Sequence, residues 1–225
     1  MNNYKFPRYS FLGLFLTLVV LLLVPTFFRQ NFELAHNLVW SSSLLAGLWL
    51  VTHKRYMLLI SSFLVIPCMI LSWLSLPAVS SSWSLIYTLM LTVFLLFILG
   101  HLLHFVVVTR RVSSDLIFAS LCAYLLIGLV WAHIYLIIEL FFPESFSINN
   151  DLVLSYSTLP QQFSYYSFVT LTTLGYGDIA PVTPLAQSWS VMEAIMGQLY
   201  LAIIVARLMG LYIGTELTKN KHWEK

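Results

Sequence analysis

The chain has 225 residues, of which 60% are hydrophobic and only 9% are charged, and its formal net charge at pH 7 is +2. An average soluble domain is about 45–50% apolar and about 25% charged, and a water-soluble protein could not bury the apolar excess found here. The composition therefore excludes a soluble enzyme, a nucleic-acid-binding protein and a disordered chain, and it predicts a protein that lies largely within a lipid bilayer. Both cysteines, Cys68 and Cys122, lie inside apolar stretches, so neither a disulfide framework nor a thiolate metal site is expected.

Six stretches are long and apolar enough to cross the membrane as helices, because about 20 apolar residues span roughly 30 Å of hydrocarbon. In chain order they are approximately Ser10–Phe28, Leu34–Thr52, Tyr56–Leu76, Ser84–Thr109, Asp115–Phe142 and Leu185–Gly214. A further apolar stretch, Phe163–Leu174, is too short to span and is expected to be re-entrant or buried. The fold class expected is an all-α membrane protein with about six transmembrane helices.

Basic residues occur in every second connection between the predicted spans. They are Lys5, Arg8, Lys54, Arg55, Arg110, Arg111, Lys219, Lys221 and Lys225. The intervening connections contain Arg29, Glu33, Glu144, Asp151 and Asp178. Because cytoplasmic loops carry an excess of lysine and arginine, both termini are expected in the cytoplasm and the loop with Asp178 on the outer side.

One segment, TLTTLGYGD at residues 170–178, combines glycines with a short apolar helix that cannot span. Gly175 and Gly177 flank Tyr176, and glycine permits backbone angles that a Cβ would forbid. Non-helical backbone at membrane depth is tolerated only where it is buried in protein or lines a watery cavity. Four such segments around one axis could stack rings of carbonyl oxygens and replace the water shell of a dehydrated cation.

This segment resembles the selectivity filter of the potassium-channel family, which reads Thr-Val-Gly-Tyr-Gly-Asp, with Leu174 in place of the valine. The resemblance implies a re-entrant pore helix followed by the filter, with the ion sites at Thr173, Leu174, Gly175, Tyr176 and Gly177. It further implies that K⁺ is bound by the carbonyls of Thr173, Leu174, Gly175 and Tyr176 and by the Thr173 hydroxyl. No cofactor is expected, since K⁺ is the permeant ion.

The same resemblance implies residues that support the filter. They are Thr172, Asp178, Tyr165, Tyr166 and Glu139. The two tyrosines lie on the pore helix, where the family usually has aromatic residues that brace the filter. Glu139 lies near the outer end of its span, where related six-span channels have a glutamate that braces the surroundings of the filter.

One chain carries one filter segment, and a ring of oxygens needs four, so the resemblance implies a homotetramer in the lipid bilayer. The expected organisation is a four-helix N-terminal transmembrane domain at 1–110, a pore domain at 111–215 and a short cytoplasmic tail at 216–225. The tail is too short for a soluble regulatory domain of ordinary size.

The six-span layout is similar to that of voltage-gated channels, but the fourth span lacks the charged residues of a voltage sensor. Steep voltage gating needs three or four arginines per sensor, and the stretch from Ser84 to Thr109 contains no lysine or arginine. The chain therefore resembles bacterial-type channels that lack a charged voltage sensor. The first four spans are expected to act as a membrane-embedded scaffold.

Other ionisable or small residues within the predicted spans leave alternatives open. His101 and His104 lie one turn apart; they are expected to be interfacial or hydrogen-bonded, and pH sensing or metal binding is the alternative. Gly197 lies where the family often has a hinge glycine, and close helix packing is the alternative. Arg207 is expected to extend to the inner interface rather than face the pore.

His133 and Glu193 fall in the predicted pore domain. An unpaired buried carboxylate is expensive, so Glu193 is expected either to have a partner or to be neutral. A contact between these two side chains is one option, which the sequence leaves open.

The function expected is passive, potassium-selective conduction across the plasma membrane, with no enzymatic chemistry. Three alternatives stay open: a non-conducting accessory subunit of a channel complex, a poorly selective cation channel, and a transporter. The transporter would favour broken helices repeated in two halves, and the sequence contains no such repeat.

Overall fold

The computed structural model of the protein describes residues 10–27, 32–51, 55–74, 81–148 and 159–223. These residues form seven helices and two short strands. In chain order the elements are α1 (Ser10–Phe27), α2 (Phe32–Val51), α3 (Arg55–Trp73), α4 (Ser81–Val108), α5 (Ser114–Phe141), β1 (Phe146–Ile148), α6 (Leu159–Leu171), β2 (Ile179–Pro181) and α7 (Pro184–Trp223). The described part of the chain is therefore almost entirely helical, as the hydropathy pattern predicts.

A helix lies at each of the six stretches predicted to span the membrane, and α6 lies at the short apolar stretch between the last two. Within the described residues, α4, α5 and α7 are long and apolar enough to cross a bilayer. Shorter apolar stretches, Phe11–Leu23 and Leu59–Trp73, lie in α1 and α3. The protein is thus an α-helical membrane protein, and the six-span layout stays a prediction.

Several of the charges used for the predicted orientation lie outside the described residues. They are Lys5, Arg8, Arg29, Lys54, Asp151 and Lys225. Arg110 and Arg111 lie in the short connection between α4 and α5, and both are exposed. This connection coincides with the predicted boundary between the N-terminal and pore domains.

Helix α5 lies at the centre of the molecule, because α1, α4, α6 and α7 all pack against it. A helix that is apolar on all sides is a buried helix, and Leu116, Ala123 and Tyr135 of α5 are all fully buried. The Ser113 hydroxyl accepts a hydrogen bond from the Leu116 amide and so caps the first turn. The helices of the predicted N-terminal domain and those of the predicted pore domain therefore share one core.

The two strands pair antiparallel, with Phe146 opposite Pro181 and Ile148 opposite Ile179. The sequence analysis did not predict them, because three residues are too few to show an alternating pattern. They matter for the site because β2 follows directly after Asp178, and β1 follows closely after α5.

Helices α6 and α7 do not end where the sequence predicts. The helix α6 ends at Leu171, although the apolar stretch continues to Leu174, since hydropathy does not distinguish an apolar helix from an apolar loop. The helix α7 continues through Gly214 to Trp223, so most of the predicted tail is helical. A single glycine disfavours helix by only about 1 kcal/mol relative to alanine, and no proline follows it.

Candidate functional site

The short helix α6 is held between α5 and α7 by two close glycine contacts. A Cβ added to Gly128 of α5 would lie 2.7 Å from the Phe168 ring. A Cβ added to Gly197 of α7 would lie well inside 3.0 Å of the Leu171 carbonyl oxygen. Gly197 is therefore a close-packing position, and α7 is a continuous helix on both sides of it. The predicted hinge at Gly197 stays a prediction.

The segment after α6 is tied to the last turn of that helix. The Leu174 and Gly175 amides both donate to the Val169 carbonyl, at 2.9 and 3.3 Å, and the Thr173 amide donates to the Thr170 carbonyl at 2.9 Å. Residues 172–177 are exposed in the single protomer. The segment thus starts from a fixed helix end and presents its remaining backbone outward.

Every second residue of this segment has a positive φ, which is +60° at Thr173, +60° at Gly175 and +78° at Gly177. This left-handed conformation is open to glycine and unusual for a β-branched threonine. A Cβ at Gly175 or Gly177 would meet nothing within 4 Å, so the backbone angle rather than space requires glycine there. Because left-handed and right-handed backbone conformations alternate along the chain, successive carbonyl groups turn to the same side. A carbonyl-lined ion path needs this arrangement.

The two threonines of the segment have different side-chain contacts. The Thr172 hydroxyl donates to the Phe168 carbonyl at 2.6 Å and so points back to α6. The Thr173 hydroxyl oxygen lies 3.4 Å from the Gln198 side-chain nitrogen of α7. Gln198 was not singled out by the sequence analysis.

At the outer end of the segment, the Tyr165 hydroxyl donates a 2.8 Å hydrogen bond to Oδ2 of Asp178. The Tyr165 ring is parallel to the Tyr176 ring, with centroids 6.5 Å apart. The bond to the Asp178 carboxylate keeps the proton on the phenol and raises the pKa of Tyr165 to about 12. Three residues named from the sequence are thus in contact.

Tyr166 points to the opposite side of α6. Its hydroxyl shares a 2.7 Å hydrogen bond with the Ser190 hydroxyl of α7, and its ring packs edge-on against Tyr135 and Phe146. The two adjacent tyrosines therefore have different contacts: one reaches the outer end of the segment and the other joins α6 to α7.

Glu139 holds the turn that leads from α5 into β1. Its carboxylate accepts hydrogen bonds from the amides of Glu144, Ser145 and Phe146, at 2.9, 3.1 and 3.3 Å. Glu144 has a positive φ of 67° in this turn. Because β1 pairs with β2, this carboxylate connects the end of α5 to the strand that follows Asp178.

Glu193 of α7 is fully buried behind α6, away from the exposed segment. Its Oε2 accepts a 2.5 Å hydrogen bond from the Tyr135 hydroxyl of α5, and its Oε1 lies 2.5 Å from the Ser167 hydroxyl of α6. The same Ser167 hydroxyl lies 2.6 Å from the Gly128 carbonyl oxygen. Glu193 therefore has partners, as its burial predicts.

His133 makes its contacts with groups other than Glu193. His133 is buried, its Nδ1 lies 2.6 Å from the Leu129 carbonyl, and its ring stacks on Trp40 of α2. His101 Nδ1 lies 2.9 Å from the Phe97 carbonyl, and the His104 side chain is exposed. In the ranges that the structure covers, no three His, Cys, Asp or Glu side chains are grouped to hold a metal ion.

Arg207 joins the inner end of α7 to the end of α4. One of its terminal nitrogens donates to the Val107 and Thr109 carbonyls, at 2.6 and 2.8 Å. These are carbonyls that the last turn of α4 leaves without a helical partner. The guanidinium therefore caps a neighbouring helix, a contact that the sequence analysis did not anticipate.

Five residues that the motif and its spacing do not indicate belong to the site. They are Gly128, Tyr135, Ser167, Ser190 and Gln198. Each is small or polar within an apolar stretch, which is a weak signal for a helix contact in membranes. Their partners could not be read from spacing, because they lie in other parts of the chain.

Comparisons with known proteins match the part of the chain that contains these residues. A family model described as "Ion channel" matches residues 121–213, which run from α5 through the exposed segment into α7. The chain is 31% identical over 105 residues to Protein LctB of Bacillus caldotenax, an alignment that covers 44% of this chain and 74% of that protein. No solved structure gives a significant match.

Proposed function

This chain is an ion channel of the potassium-channel family, and from that premise we propose that it conducts K⁺ selectively and passively through a tetrameric pore. The filter would be residues 173–177, with K⁺ held by the carbonyls of Thr173, Leu174, Gly175 and Tyr176 and by the Thr173 hydroxyl. Thr172, Asp178, Tyr165, Tyr166 and Glu139 would keep it in place. The ion would move down its electrochemical gradient.

The observation that carries this proposal is the alternation of positive φ at Thr173, Gly175 and Gly177. A strained threonine between ordinary residues persists only where the surroundings or the function require it. In the first half of this segment, the Val169 and Thr170 carbonyls accept the backbone amides, which leaves the segment's own carbonyls available for an ion. Carbonyl rings of this kind replace the hydration shell of K⁺.

A homotetramer is supported by what one protomer leaves uncovered. The exposed segment can form only one side of an ion path. Apolar side chains of α7 are also exposed, among them Val191 at 59% and Ile203 at 64%. Four copies around one axis would complete the oxygen rings and cover part of this apolar surface.

The proposed setting is the plasma membrane, with both termini in the cytoplasm and Asp178 outside. The basic connection at Arg110 and Arg111 would then lie at the inner surface, which agrees with the positive-inside rule. Reporter fusions at each terminus test this orientation, and an external signal from either one would contradict it.

The function is tested by K⁺ flux into liposomes that contain the purified protein. We expect a K⁺ current that barium blocks and that reverses near the K⁺ equilibrium potential in mixed Na⁺ and K⁺. The Gly175→Ala variant should lose selectivity or conduction, because alanine strains the left-handed backbone at this position. The Gly100→Ala variant is the control, since a Cβ there meets nothing within 4 Å and no unusual φ is required.

Each alternative predicts a different result in the same liposomes. An accessory subunit passes no K⁺ by itself, a poorly selective channel reverses near zero in mixed salts, and a transporter gives a saturable, coupled flux. Unchanged selectivity in the Gly175→Ala variant would show that the filter lies elsewhere. Cross-linking of the purified protein in detergent should give a limiting species of four chains.

A further inference from the structure

Glu193 is a buried carboxyl group that ion conduction through the filter does not by itself explain. It is 0% exposed and lies where α5, α6 and α7 meet, behind the helix that carries the filter. Its two oxygens join Tyr135 of α5 to Ser167 of α6. A group in this position can control where the pore helix sits.

This cluster has more hydrogen-bond contacts than its hydroxyl groups have protons. Three contacts lie at hydrogen-bond distance: Tyr135 to Glu193, Ser167 to Glu193, and Ser167 to the Gly128 carbonyl, at 2.5, 2.5 and 2.6 Å. Each contact needs its own proton, but the two hydroxyl groups supply one proton each, and a carbonyl supplies none. An ionised carboxylate would therefore leave two acceptor oxygens facing each other at close range.

A proton on Oε1 of Glu193 supplies the third hydrogen that the three contacts need. The carboxylic acid then donates to the Ser167 hydroxyl, Ser167 donates to the Gly128 carbonyl, and Tyr135 donates to Oε2. Every polar atom of the cluster has a partner in this arrangement, and buried polar groups are costly when they lack one.

The surroundings of Glu193 agree with a neutral group. Among the residues that the structure describes, no lysine, arginine or histidine forms an ion pair with it, and the ionisable side chain bonded to it is the phenol of Tyr135. The neighbouring phenol of Tyr166 is bonded to Ser190 instead. An ionised carboxylate without a cation is strongly disfavoured in such a site.

We propose that Glu193 is held as the neutral carboxylic acid and is a positioning residue for the filter. The chain of hydrogen bonds from Tyr135 through Glu193 and Ser167 to Gly128 locks the pore helix to both of its neighbours. The effect on permeation rests on the proposed function, whereas the protonation state does not.

The decisive pair of variants is Glu193→Gln and Glu193→Ala. Glutamine can donate its amide hydrogens to Ser167 and accept from Tyr135, so it reproduces the neutral acid, whereas alanine removes both contacts. We expect the Gln variant to keep the K⁺ over Na⁺ flux ratio within about twofold of the unmodified protein and the Ala variant to lose about tenfold. A Gln variant as impaired as the Ala variant would overturn the proposal.

Infrared spectroscopy of the purified protein reports the proton directly. The carbonyl stretch of a buried carboxylic acid should be present in the unmodified protein, absent from Glu193→Gln and retained in the control Glu144→Gln, whose side chain is exposed. A spectrum without such a difference would contradict the neutral acid. If the unmodified protein passed no K⁺, the proposed function would fail, yet the infrared comparison would still decide the state of Glu193.

Discussion

Gly197 of α7 lies against the Leu171 carbonyl oxygen at the end of the pore helix, closer than any side chain would allow. Leu171 is the last residue of α6 and lies two residues before the proposed filter at 173–177. The position of α7 and the start of the proposed filter are therefore linked through a contact that only glycine permits.

The Gly197→Ala variant should displace the end of the pore helix. The new Cβ would meet a backbone oxygen, which cannot rotate away as a side chain can, so we expect a loss of about 1–3 kcal/mol of stability. The expected readouts are a lower midpoint of thermal unfolding in detergent and reduced K⁺ flux. Gly210→Ala on the same helix is the control, because a Cβ there meets nothing within 4 Å. Equal effects of both variants would show that the contact is unimportant.

The Tyr165→Phe variant should loosen the outer end of the filter. It removes the hydroxyl that donates to Asp178 and keeps the ring beside Tyr176. Because the bonded group is exposed to solvent, we expect a modest fall in the K⁺ over Na⁺ flux ratio, of about twofold to fivefold. The control is Tyr212→Phe, which removes the hydroxyl of an exposed tyrosine on α7 and leaves the Tyr165–Asp178 bond intact. The prediction fails if the control has the larger effect.

The Tyr165–Asp178 bond should not respond to pH in the neutral range. The pKa of Tyr165 is raised from 10.0 to about 12 by this bond, so the phenol keeps its proton throughout the neutral range. A raised pKa means that the contribution of the bond is fully present below about pH 10 and is lost only as pH rises through about 12. The difference in flux between the unmodified protein and Tyr165→Phe should therefore be constant from about pH 6 to 9.

Removal of the Glu139 carboxylate should destabilise the turn before β1. Glu139→Ala leaves three backbone amides without their acceptor, and we expect a loss of about 1–3 kcal/mol, nearer the lower value because water reaches part of this turn. The measurement is the midpoint of thermal unfolding in detergent. The exposed neighbour Glu144, changed to Gln, serves as the comparison and should leave the midpoint unchanged.

Loss of the Arg207 guanidinium should free the end of α4. In Arg207→Gln the carbonyls of Val107 and Thr109 lose their donor, so the last turn of α4 should open more often. Hydrogen–deuterium exchange of the amides at 105–109 should become about two- to fivefold faster. Arg111→Gln, which changes an exposed arginine in the next connection, should leave that exchange rate as it is.

The positions of the helices could be predicted from the sequence because the bilayer restricts the choices. A chain in hydrocarbon must satisfy its backbone hydrogen bonds internally, so each long apolar stretch becomes a helix. The glycine pattern at Gly175 and Gly177 is equally direct, since left-handed backbone angles favour glycine. The positions of helix ends such as Leu171 were predicted less accurately, because an apolar residue can lie in a helix or in the loop after it.

The tertiary structure alone decided which side chains meet. Burial of Glu193 predicted either a partner or a neutral acid. Which side chains lie next to it depended on helix rotation and depth, and apolar periodicity does not specify these in a helix that is apolar on all sides. The side chains that bond to it are Tyr135 and Ser167. Arg207 was expected at the inner interface, and its bond to the end of α4 joins residues about 100 positions apart, which spacing along the chain does not predict. Composition and motif thus determine the membrane setting and the ion-channel family, whereas packing between helices determines how α6 and the exposed segment after it are held.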